Sequence, residues 1–314
     1  MERIRIANLP TRINKLEKLS REYGKNIYIK RDDMTGIEIS GNKVRKLEYI
    51  LAEAQDKGID TLITAGGIQS NHARATAAVC AMYGLSCHLV LRGRPSEIEG
   101  NFWMDYMLGA EIHVIEPGLS REEYMEGLSE KLVSEGKKPM IIPVGASNAT
   151  GSLGYEGAFY EIQEQEKELG VKFDAIAVSV GSGGTYAGLL AGKIKAGSSI
   201  RIQGYAVDSD SRTFEEEVGK ILADMGMEKT GEIHINDSYK GTGYALSQDE
   251  ELKFYKKVAK EEGIILDPCY TGKAFYGMVN ELKGELKHCS NILFIHTGGL
   301  YGWTKADRVK IMEI

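Results

Sequence analysis

The 314-residue sequence is 42% hydrophobic and 27% charged, values that are ordinary for a globular protein and leave room for two domains or one large α/β domain. A formal net charge of -6 and the lack of any Lys/Arg run argue against nucleic acid as a partner. The four cysteines have neither zinc-ligand spacing nor the density of a secreted disulfide scaffold, so no metal site is expected. No signal-peptide core and no membrane-length apolar run is found, so the sequence predicts a cytoplasmic protein without a membrane span.

Strand-like and helix-like segments alternate along almost the whole chain. Apolar or alternating runs predict strands over residues 26–31, 60–64, 86–91, 111–115, 139–144, 174–180, 200–207, 232–235, 264–267 and 291–296. Helical periodicity and capping residues predict helices over 43–57, 72–83, 101–108, 121–135, 155–169, 212–225, 248–262 and 273–287, with one more directly after Thr185. The stretch 145–154, rich in Gly, Ser and Asn, is predicted to be a flexible loop that crosses between two domains.

This alternation predicts an α/β fold of parallel sheets with helices on both faces, the doubly wound arrangement. In such sheets, ligands bind beyond the carboxyl ends of the strands. Four segments at those ends are rich in Gly, Ser, Thr and Asn, namely 66–71, 181–185, 268–272 and 297–299. Short loops between a strand and a helix favour the same residues, but a bound ligand explains four such loops better.

Lys43 stands in the first turn of the predicted helix 43–57. A cation is unfavourable there because the helix dipole favours anions at that end, so the neutral amine is favoured. A neutral lysine amine is a nucleophile that forms Schiff bases with carbonyl compounds, and desolvation would lower its pKa further. The alternative is that Lys43, Arg45 and Lys46 are simply solvated cations on a helix surface.

A glycine-rich turn follows the predicted strand 174–180 and opens a helix; its residues are Gly181, Ser182, Gly183, Gly184 and Thr185. Backbone N–H groups and the helix dipole make such a turn an anion site, most naturally for a phosphate. A Walker A loop is ruled out because Gly192-Lys193 is followed by Ile194 instead of Ser or Thr. A dinucleotide site ranks second, since Asp208 could bind a ribose but Tyr186 replaces the third glycine of that fingerprint.

A phosphate site combined with a helix-start lysine suggests a small phosphorylated carbonyl compound, pyridoxal 5′-phosphate (PLP). Five motifs, spread along nearly the whole chain, resemble those of a known family and occur in the same order. They lie at residues 40–47, 67–74, 181–188, 267–274 and 296–299. In these motifs the sequence resembles the D-cysteine desulfhydrase and 1-aminocyclopropane-1-carboxylate (ACC) deaminase family. That family lies within the tryptophan-synthase-β-like, or fold type II, PLP enzymes.

The resemblance implies a role for each motif. Lys43 would form the Schiff base with PLP, and Asn71 would contact the pyridoxal ring or its hydroxyl. The residues Gly181, Ser182, Gly183, Gly184 and Thr185 would hold the phosphate, and Thr297 would stand near the pyridine nitrogen. Ser70 would contact the substrate carboxylate.

Two tyrosines complete the implied site. Tyr270 would lie over the substrate as an acid/base or nucleophilic group, with Tyr244 beside it. Other roles exist for these residue types: Ser70 and Asn71 are also good helix caps, and most of the 16 tyrosines must serve packing. His72 is expected to be structural.

Within the family, Thr271 follows Tyr270 where ACC deaminases carry Glu, and Thr297 stands where they carry Leu. Both differences favour D-cysteine desulfhydrase, which eliminates sulfide from D-cysteine to leave pyruvate and ammonia. The alternatives are ACC deaminase, which forms 2-oxobutanoate and ammonia, and a sulfo-lyase that acts on cysteate. A PLP- or dinucleotide-binding protein without catalysis is a further hypothesis.

The architecture implied by the resemblance is two doubly wound open-sheet domains of the tryptophan-synthase-β-like type with PLP between them. The larger domain is expected over residues 1–45 and 157–314, and the smaller, inserted one over 46–156. A small amino-acid substrate and a homodimer are expected from the resemblance alone.

Overall fold

A computed structural model describes residues 2–94, 97–227, 231–243 and 245–314. In this part of the chain the strands are β1 (Ile13–Lys15), β2 (Asn26–Lys30), β3 (Thr61–Gly67), β4 (Ser86–Arg92), β5 (Glu111–Ile115), β6 (Pro139–Ile142), β7 (Ala175–Val180), β8 (Arg201–Ala206), β9 (His234–Asn236) and β10 (Asn291–Ile295). The helices are α1 (Glu17–Tyr23), α2 (Asn42–Asp56), α3 (Asn71–Tyr83), α4 (Gly100–Met107), α5 (Arg121–Ser134), α6 (Ala149–Leu169), α7 (Gly184–Lys195), α8 (Ser211–Asp224), α9 (Asp249–Glu262), α10 (Thr271–Asn280) and α11 (Lys305–Glu313).

The strands form two sheets. One has six strands in the order β1-β2-β10-β7-β8-β9, and the other has four in the order β5-β4-β3-β6. All paired strands in the described residues are parallel except β1 and β2. The four-stranded sheet lies between residues 61 and 142, inside the range predicted for the smaller domain, while the predicted domain boundaries themselves stay a prediction.

Each sheet is covered by helices on both faces, which confirms the predicted doubly wound fold. Alternate residues of β7 show this: Ile176 and Val178 pack with α6, α7 and α8, whereas Ala175 and Ala177 pack with α9 and α10. In the smaller sheet, α2, α3 and α4 cover one face and α5 covers the other. Among the described residues, no helix has the length and apolar character that crossing a membrane would require.

Helix α6 begins at Ala149, six residues before the predicted start, so the expected flexible loop over 145–154 is wrong in its second half. Asn148 caps the helix by accepting the N–H of Gly151 at 2.8 Å. A Cβ at Gly154 would overlap the carbonyl oxygen of Arg45 in α2. The glycines that suggested a loop are therefore needed inside a helix, where they let α2 and α6 approach closely.

Three further differences from the predicted elements are found along the chain. The segment 264–267 forms no strand; the Trp303 indole donates to the Leu266 carbonyl, and the His296 ring lies 3.1 Å from the Ile265 carbonyl, so side chains contact these backbone groups. The capping box of α9 uses Gln248 and Glu251, one residue later than predicted. The elements β1, α1 and α11 were not predicted from the sequence.

Candidate active site

Lys43 lies in the first turn of α2, which begins at Asn42 directly after Gly41. Its Nζ is 3.3 Å from the side-chain oxygen of Asn42. Loss of water lowers the pKa of Lys43 to about 8, and the nearby Asp267 and Cys269 partly oppose that shift. Since a free lysine has a pKa of about 10.4, the neutral amine of Lys43 is far more accessible near neutral pH.

The neighbours of Lys43 are not solvated cations. Arg45 and Lys46 are each only 1% exposed. The Arg45 guanidinium forms ion pairs with Asp32 at 2.8 Å and with Glu161 at 2.9 Å. These contacts hold the first turns of α2 between the segment that follows β2 and helix α6, so the position of Lys43 is set by buried structure and not by a free surface.

The glycine-rich turn lies between the carboxyl end of β7 and the start of α7 at Gly184. Thr185 accepts a hydrogen bond from the Asn42 amide at 3.0 Å, which joins this turn to the start of α2. The Ser182 hydroxyl lies 2.8 Å from the Ser147 hydroxyl, in the segment before α6. Residues predicted to hold the phosphate are thus adjacent to the residue that precedes the candidate lysine.

The side chain of a buried lysine, Lys46 in α2, lies against this turn. A Cβ at Gly184 would lie 2.7 Å from the Ser147 hydroxyl and 2.8 Å from the Lys46 Nζ, so only glycine leaves the space open. Burial and the charge of Lys43 hold the pKa of Lys46 well below its usual range. An anion beside Gly184 would favour the charged form of Lys46, and it would also meet the positive end of α7. The turn therefore fits a phosphate group.

Tyr270 lies at the start of α10 with its ring against the same turn, since a Cβ at Gly181 would lie 2.9 Å from the ring. The carboxylate of Asp267 accepts the backbone N–H groups of Cys269 at 3.0 Å and of Tyr270 at 2.9 Å. It also accepts the N–H and the hydroxyl of Thr271, at 2.7 and 2.6 Å. This one carboxylate fixes the loop that carries Tyr270.

Thr297 follows the carboxyl end of β10. Its carbonyl oxygen accepts the N–H of Asn42 at 3.0 Å, and its hydroxyl lies 3.3 Å from the hydroxyl of Ser179 in β7. The structure therefore brings Thr297, Lys43, Tyr270 and the glycine-rich turn to one place at the carboxyl ends of β7 and β10.

Ser70 and Asn71 lie at the start of α3, after β3. Ser70 is the helix cap, and its hydroxyl accepts the N–H of Ala73 at 3.2 Å. The side-chain oxygen of Asn71 accepts from the amide of Asn101 at 2.9 Å. The capping role considered for Ser70 is real, and it leaves the substrate contact proposed for Ser70 as a prediction.

His72 is buried next to these residues. The Thr64 hydroxyl donates to the carbonyl of Ile142 at 2.8 Å, so it accepts at 2.9 Å from Nε2 of His72, which fixes the proton on that nitrogen. Burial and the charges of Lys43 and Lys46 hold the pKa of His72 well below its usual range. His72 is thus a neutral partner of Thr64, in agreement with the structural role predicted for it.

Tyr244 lies outside the described residues. The backbone just before it is attached to α10 through Lys273, whose Nζ donates to the carbonyl of Lys240 at 2.7 Å and to that of Gly243 at 2.6 Å. The role predicted for Tyr244 stays a prediction.

Sequence reasoning missed three residues of this site. Lys46 could have been found, because it stands three residues after Lys43 on the same face of α2. Asp267 belongs to a quoted motif but its buried hydrogen bonds are not visible in a sequence. Ser147 carries no local signal, since its contact with Ser182 joins residues 35 positions apart.

These residues fit PLP as a group. Lys43 offers an amine of lowered pKa to an aldehyde. The glycine-rich turn, Ser147 and Lys46 offer hydrogen-bond donors and positive charge to a phosphate. The two sets are joined by the bond between Asn42 and Thr185, so one small molecule can contact both.

Comparison with known proteins gives a consistent result. The family described as "Pyridoxal-phosphate dependent enzyme" matches residues 4–298. A bifunctional D-cysteine desulfhydrase/1-aminocyclopropane-1-carboxylate deaminase of Arabidopsis thaliana is 43% identical, over 97% of this chain and 80% of its own length. A D-cysteine desulfhydrase of Salmonella newport is 37% identical, over 95% of this chain and 94% of its own.

Solved structures agree with this assignment. An ACC deaminase homologue superimposes with a TM-score of 0.93 at 40% identity, covering 99% of this chain and 96% of its own. A PLP-dependent aspartate racemase shares the fold, with a TM-score of 0.68 at 18% identity over 92% of this chain and 90% of its own. The chain therefore belongs to the pyridoxal-phosphate dependent enzyme family, with the tryptophan-synthase-β-like fold and with PLP as its cofactor.

Proposed function

We propose that the protein is a D-cysteine desulfhydrase, which converts D-cysteine and water to pyruvate, ammonia and hydrogen sulfide. Its relatives carry the names of both D-cysteine desulfhydrases and ACC deaminases, so the family alone does not choose between the two reactions. The observation that carries the proposal is Thr271, beside Tyr270, where ACC deaminases have Glu. Its hydroxyl is buried and bound to Asp267 at 2.6 Å, so this position offers no carboxylate to a substrate.

The first chemical task is proton removal from the substrate Cα. PLP, when bound, withdraws electrons from that carbon and makes its proton acidic. We assign to Lys43 both the attachment of the cofactor and the transfer of this proton, because its lowered pKa makes the free amine available. By the resemblance, the Thr297 hydroxyl would stand near the ring nitrogen, and it would leave that nitrogen less protonated than a carboxylate would, which would limit the electron withdrawal.

The second task is loss of sulfide from Cβ. The electron pair of the broken Cα–H bond forms a Cα=Cβ double bond, and the pair of the Cβ–S bond leaves on sulfur. Tyr270, and Tyr244 by the resemblance, are the groups we assign to protonate the leaving thiolate. The 2-aminoacrylate that remains takes up water and gives pyruvate and ammonia.

The substrate must also be held by its carboxylate. The start of α3 offers backbone N–H groups and the positive end of a helix dipole, together with the Ser70 hydroxyl. Asn71 has its oxygen engaged by Asn101, which leaves its NH₂ group to donate to the cofactor. We therefore assign substrate orientation to Ser70 and cofactor orientation to Asn71.

Product analysis tests the proposal. Purified protein is incubated separately with D-cysteine, L-cysteine, ACC and cysteate, while pyruvate, 2-oxobutanoate, sulfide and sulfite are measured. We expect equal amounts of pyruvate and sulfide from D-cysteine. Turnover of ACC without turnover of D-cysteine would reverse the order of the two candidates, sulfite from cysteate would favour a sulfo-lyase, and no turnover of any compound would favour a non-catalytic PLP protein.

Lys43 has a separate test. Sodium borohydride fixes PLP to the lysine that carries it, and peptide mapping then identifies that lysine. We expect the label on Lys43 and loss of turnover in Lys43→Ala. Lys57, which is exposed at the end of the same helix, supplies the control: Lys57→Ala keeps both label and turnover.

ACC deaminase is the second candidate, favoured by the high structural similarity to an ACC deaminase homologue. If positions 271 and 297 together decide between the two, a Thr271→Glu, Thr297→Leu double variant should lose D-cysteine turnover and gain reaction with ACC. We also propose a cytoplasmic homodimer, with a smaller domain over residues 46–156. Light scattering on the purified protein measures the dimer directly.

A further inference from the structure

A separate cluster of metal-ligating side chains lies on the four-stranded sheet, on the face covered by α5. His88 is in β4, and Glu111 and His113 are in β5. The two strands are parallel, with His88 opposite Glu111 and Val90 opposite His113. This register brings the three side chains together on one face, although the two histidines are 25 residues apart.

The three side chains lie close enough together to share one metal ion, because one ligand atom from each lies within 4.8 Å of the other two. The His88 Nδ1 lies 3.1 Å from the His113 Nε2. In Glu111, Oε2 lies 3.7 Å from the His88 Nδ1 and Oε1 lies 3.6 Å from the His113 Nε2. Around a tetrahedral zinc ion with bonds of about 2.0–2.2 Å, neighbouring ligand atoms are roughly 3.3–3.6 Å apart. We propose that His88, Glu111 and His113 bind one divalent transition-metal ion of the zinc class.

The surroundings orient the ligands. The two rings are stacked, with an angle of 16° between their planes. The hydroxyl of Tyr124, in α5, lies 3.4 Å from the second ring nitrogen of His113 and can hold that ring in place. Two imidazoles and one carboxylate favour zinc, nickel or copper over calcium and magnesium. Because the Glu111 side chain is 66% exposed, a water molecule can reach a fourth ligand position.

The alternative is a plain hydrogen bond between the histidines, with one proton shared by the facing nitrogens. Such a bond makes no use of Glu111, whose oxygens are too far from both nitrogens to accept a good hydrogen bond. A metal ion would use all three side chains. On binding, each neutral imidazole would keep its proton on the outer nitrogen, so the facing nitrogens would both be free to ligate.

The cluster is independent of the PLP site. His88 pairs with Ile63, in the first half of β3, whereas the candidate active-site loops follow the carboxyl ends of strands. The test therefore uses untagged holoenzyme that is treated with a chelator, freed of the chelator by dialysis and kept reduced with a phosphine that contains no thiol. Zn²⁺ is titrated by calorimetry, and Co²⁺ is followed by its visible absorption, whose intensity reports tetrahedral ligation.

We expect one Zn²⁺ per chain and a raised unfolding temperature in its presence. Glu111→Gln alters an exposed side chain and should weaken binding more than about tenfold, the loss that even outer-shell changes can cause. His113→Ala should abolish it. His234→Ala is the control, because His234 pairs with Glu232 at the surface and should not affect the titration.

A hydrogen-bonded histidine pair without metal affinity would show no stoichiometric Zn²⁺ uptake in the wild type, and this would overturn the proposal. Unchanged uptake in both Glu111→Gln and His113→Ala would do the same by placing the metal elsewhere. Retention of the PLP absorption band shows that each variant is folded, so neither result depends on the proposed D-cysteine activity.

Discussion

Lys46 is 1% exposed, and its Nζ binds two neutral groups, the carbonyl of Gly145 at 3.0 Å and the hydroxyl of Ser147 at 3.3 Å. Neither of these partners balances a positive charge. A phosphate beside Gly184 would do so, and it would lie within reach of the same ammonium group. At the scale of single residues, Lys46 is thus better explained as part of an anion site than as a contribution to the fold.

The first prediction concerns this lysine. Lys46→Met should weaken PLP binding about 10- to 100-fold, since a hydrogen bond to a charged group contributes roughly 1.5–3 kcal/mol. Equilibrium dialysis of the cofactor-free protein measures the affinity. Lys57→Met, at the exposed end of the same helix, is the matched control and should bind PLP like the wild type. Equal affinity of both variants would mean that Lys46 does not contact the phosphate.

Asp32 forms the centre of a buried ionic network. Burial alone would raise the pKa of Asp32, but Arg45 and the smaller contributions of Lys30 and Thr11 lower it to about 2. The Tyr155 hydroxyl also donates to this carboxylate at 2.5 Å. A lowered carboxylate pKa stabilises the folded state above the unfolded pKa of about 3.9, and this stabilisation is lost as the pH falls toward 2.

The second prediction follows from the lowered pKa of Asp32. Asp32→Asn should lower the free energy of unfolding at pH 7 by about 3 kcal/mol, because it leaves buried Arg45 with an incomplete counter-charge. The variant should also lack the part of the acid destabilisation that Asp32 causes in the wild type, a loss of about 2.6 kcal/mol between pH 5 and pH 1. Urea unfolding at several pH values measures both effects. Asp33→Asn is the control: its partner Arg31 is partly exposed, so a change below about 1 kcal/mol is expected.

At the scale of elements, α6 is the helix that packs against both α2 and α7. Its glycines are not equivalent. A Cβ at Gly154 would overlap the Arg45 carbonyl, whereas a Cβ at Gly157 would meet nothing closer than the Tyr49 hydroxyl at 3.8 Å. Glycine is therefore needed for close packing at position 154 but not at position 157, one turn later.

The third prediction uses this pair. Gly154→Ala should destabilise the protein by about 1–3 kcal/mol, as overpacking of a tight contact does. Gly157→Ala should stabilise it by up to about 1 kcal/mol, because alanine is the better helix former at an open site. Thermal or urea unfolding of the two variants measures whether each change in stability is positive or negative. A Gly154→Ala variant as stable as the wild type would show that the α2–α6 contact is not as tight as described.

The start of α6 also shows why some elements could not be predicted. Locally, a run rich in Gly, Ser and Asn favours a loop, and only the approach of α2 requires small residues inside a helix at that point. The wrong prediction of a strand over 264–267 has a similar cause. An apolar run in the sequence does not reveal that Trp303 and His296 contact the backbone carbonyls of this segment. The site loops were predictable because their composition is set locally by the turn between a strand and a helix.

At the scale of the whole molecule, the candidate PLP site joins the two sheets. Lys43 and Lys46 belong to α2, which packs on the four-stranded sheet, whereas Gly184 and Thr297 follow β7 and β10 of the six-stranded sheet. The family relationship supports PLP, but which residues touch it depends on contacts such as Asn42 with Thr185, between residues 143 positions apart. Such contacts exist only once both sheets are packed together.

The fourth prediction follows from a ligand that contacts residues from both sheets' layers. PLP at a concentration 100 times its Kd should stabilise the cofactor-free protein by about 2.7 kcal/mol and so raise its unfolding temperature. The protein should still unfold in a single transition. Pyridoxal, which has the aldehyde but no phosphate, keeps contact with Lys43 and loses contact with Lys46 and the start of α7. It should therefore stabilise much less at the same concentration. Scanning calorimetry measures both ligands, and equal stabilisation by pyridoxal would show that the phosphate does not connect the two sheets.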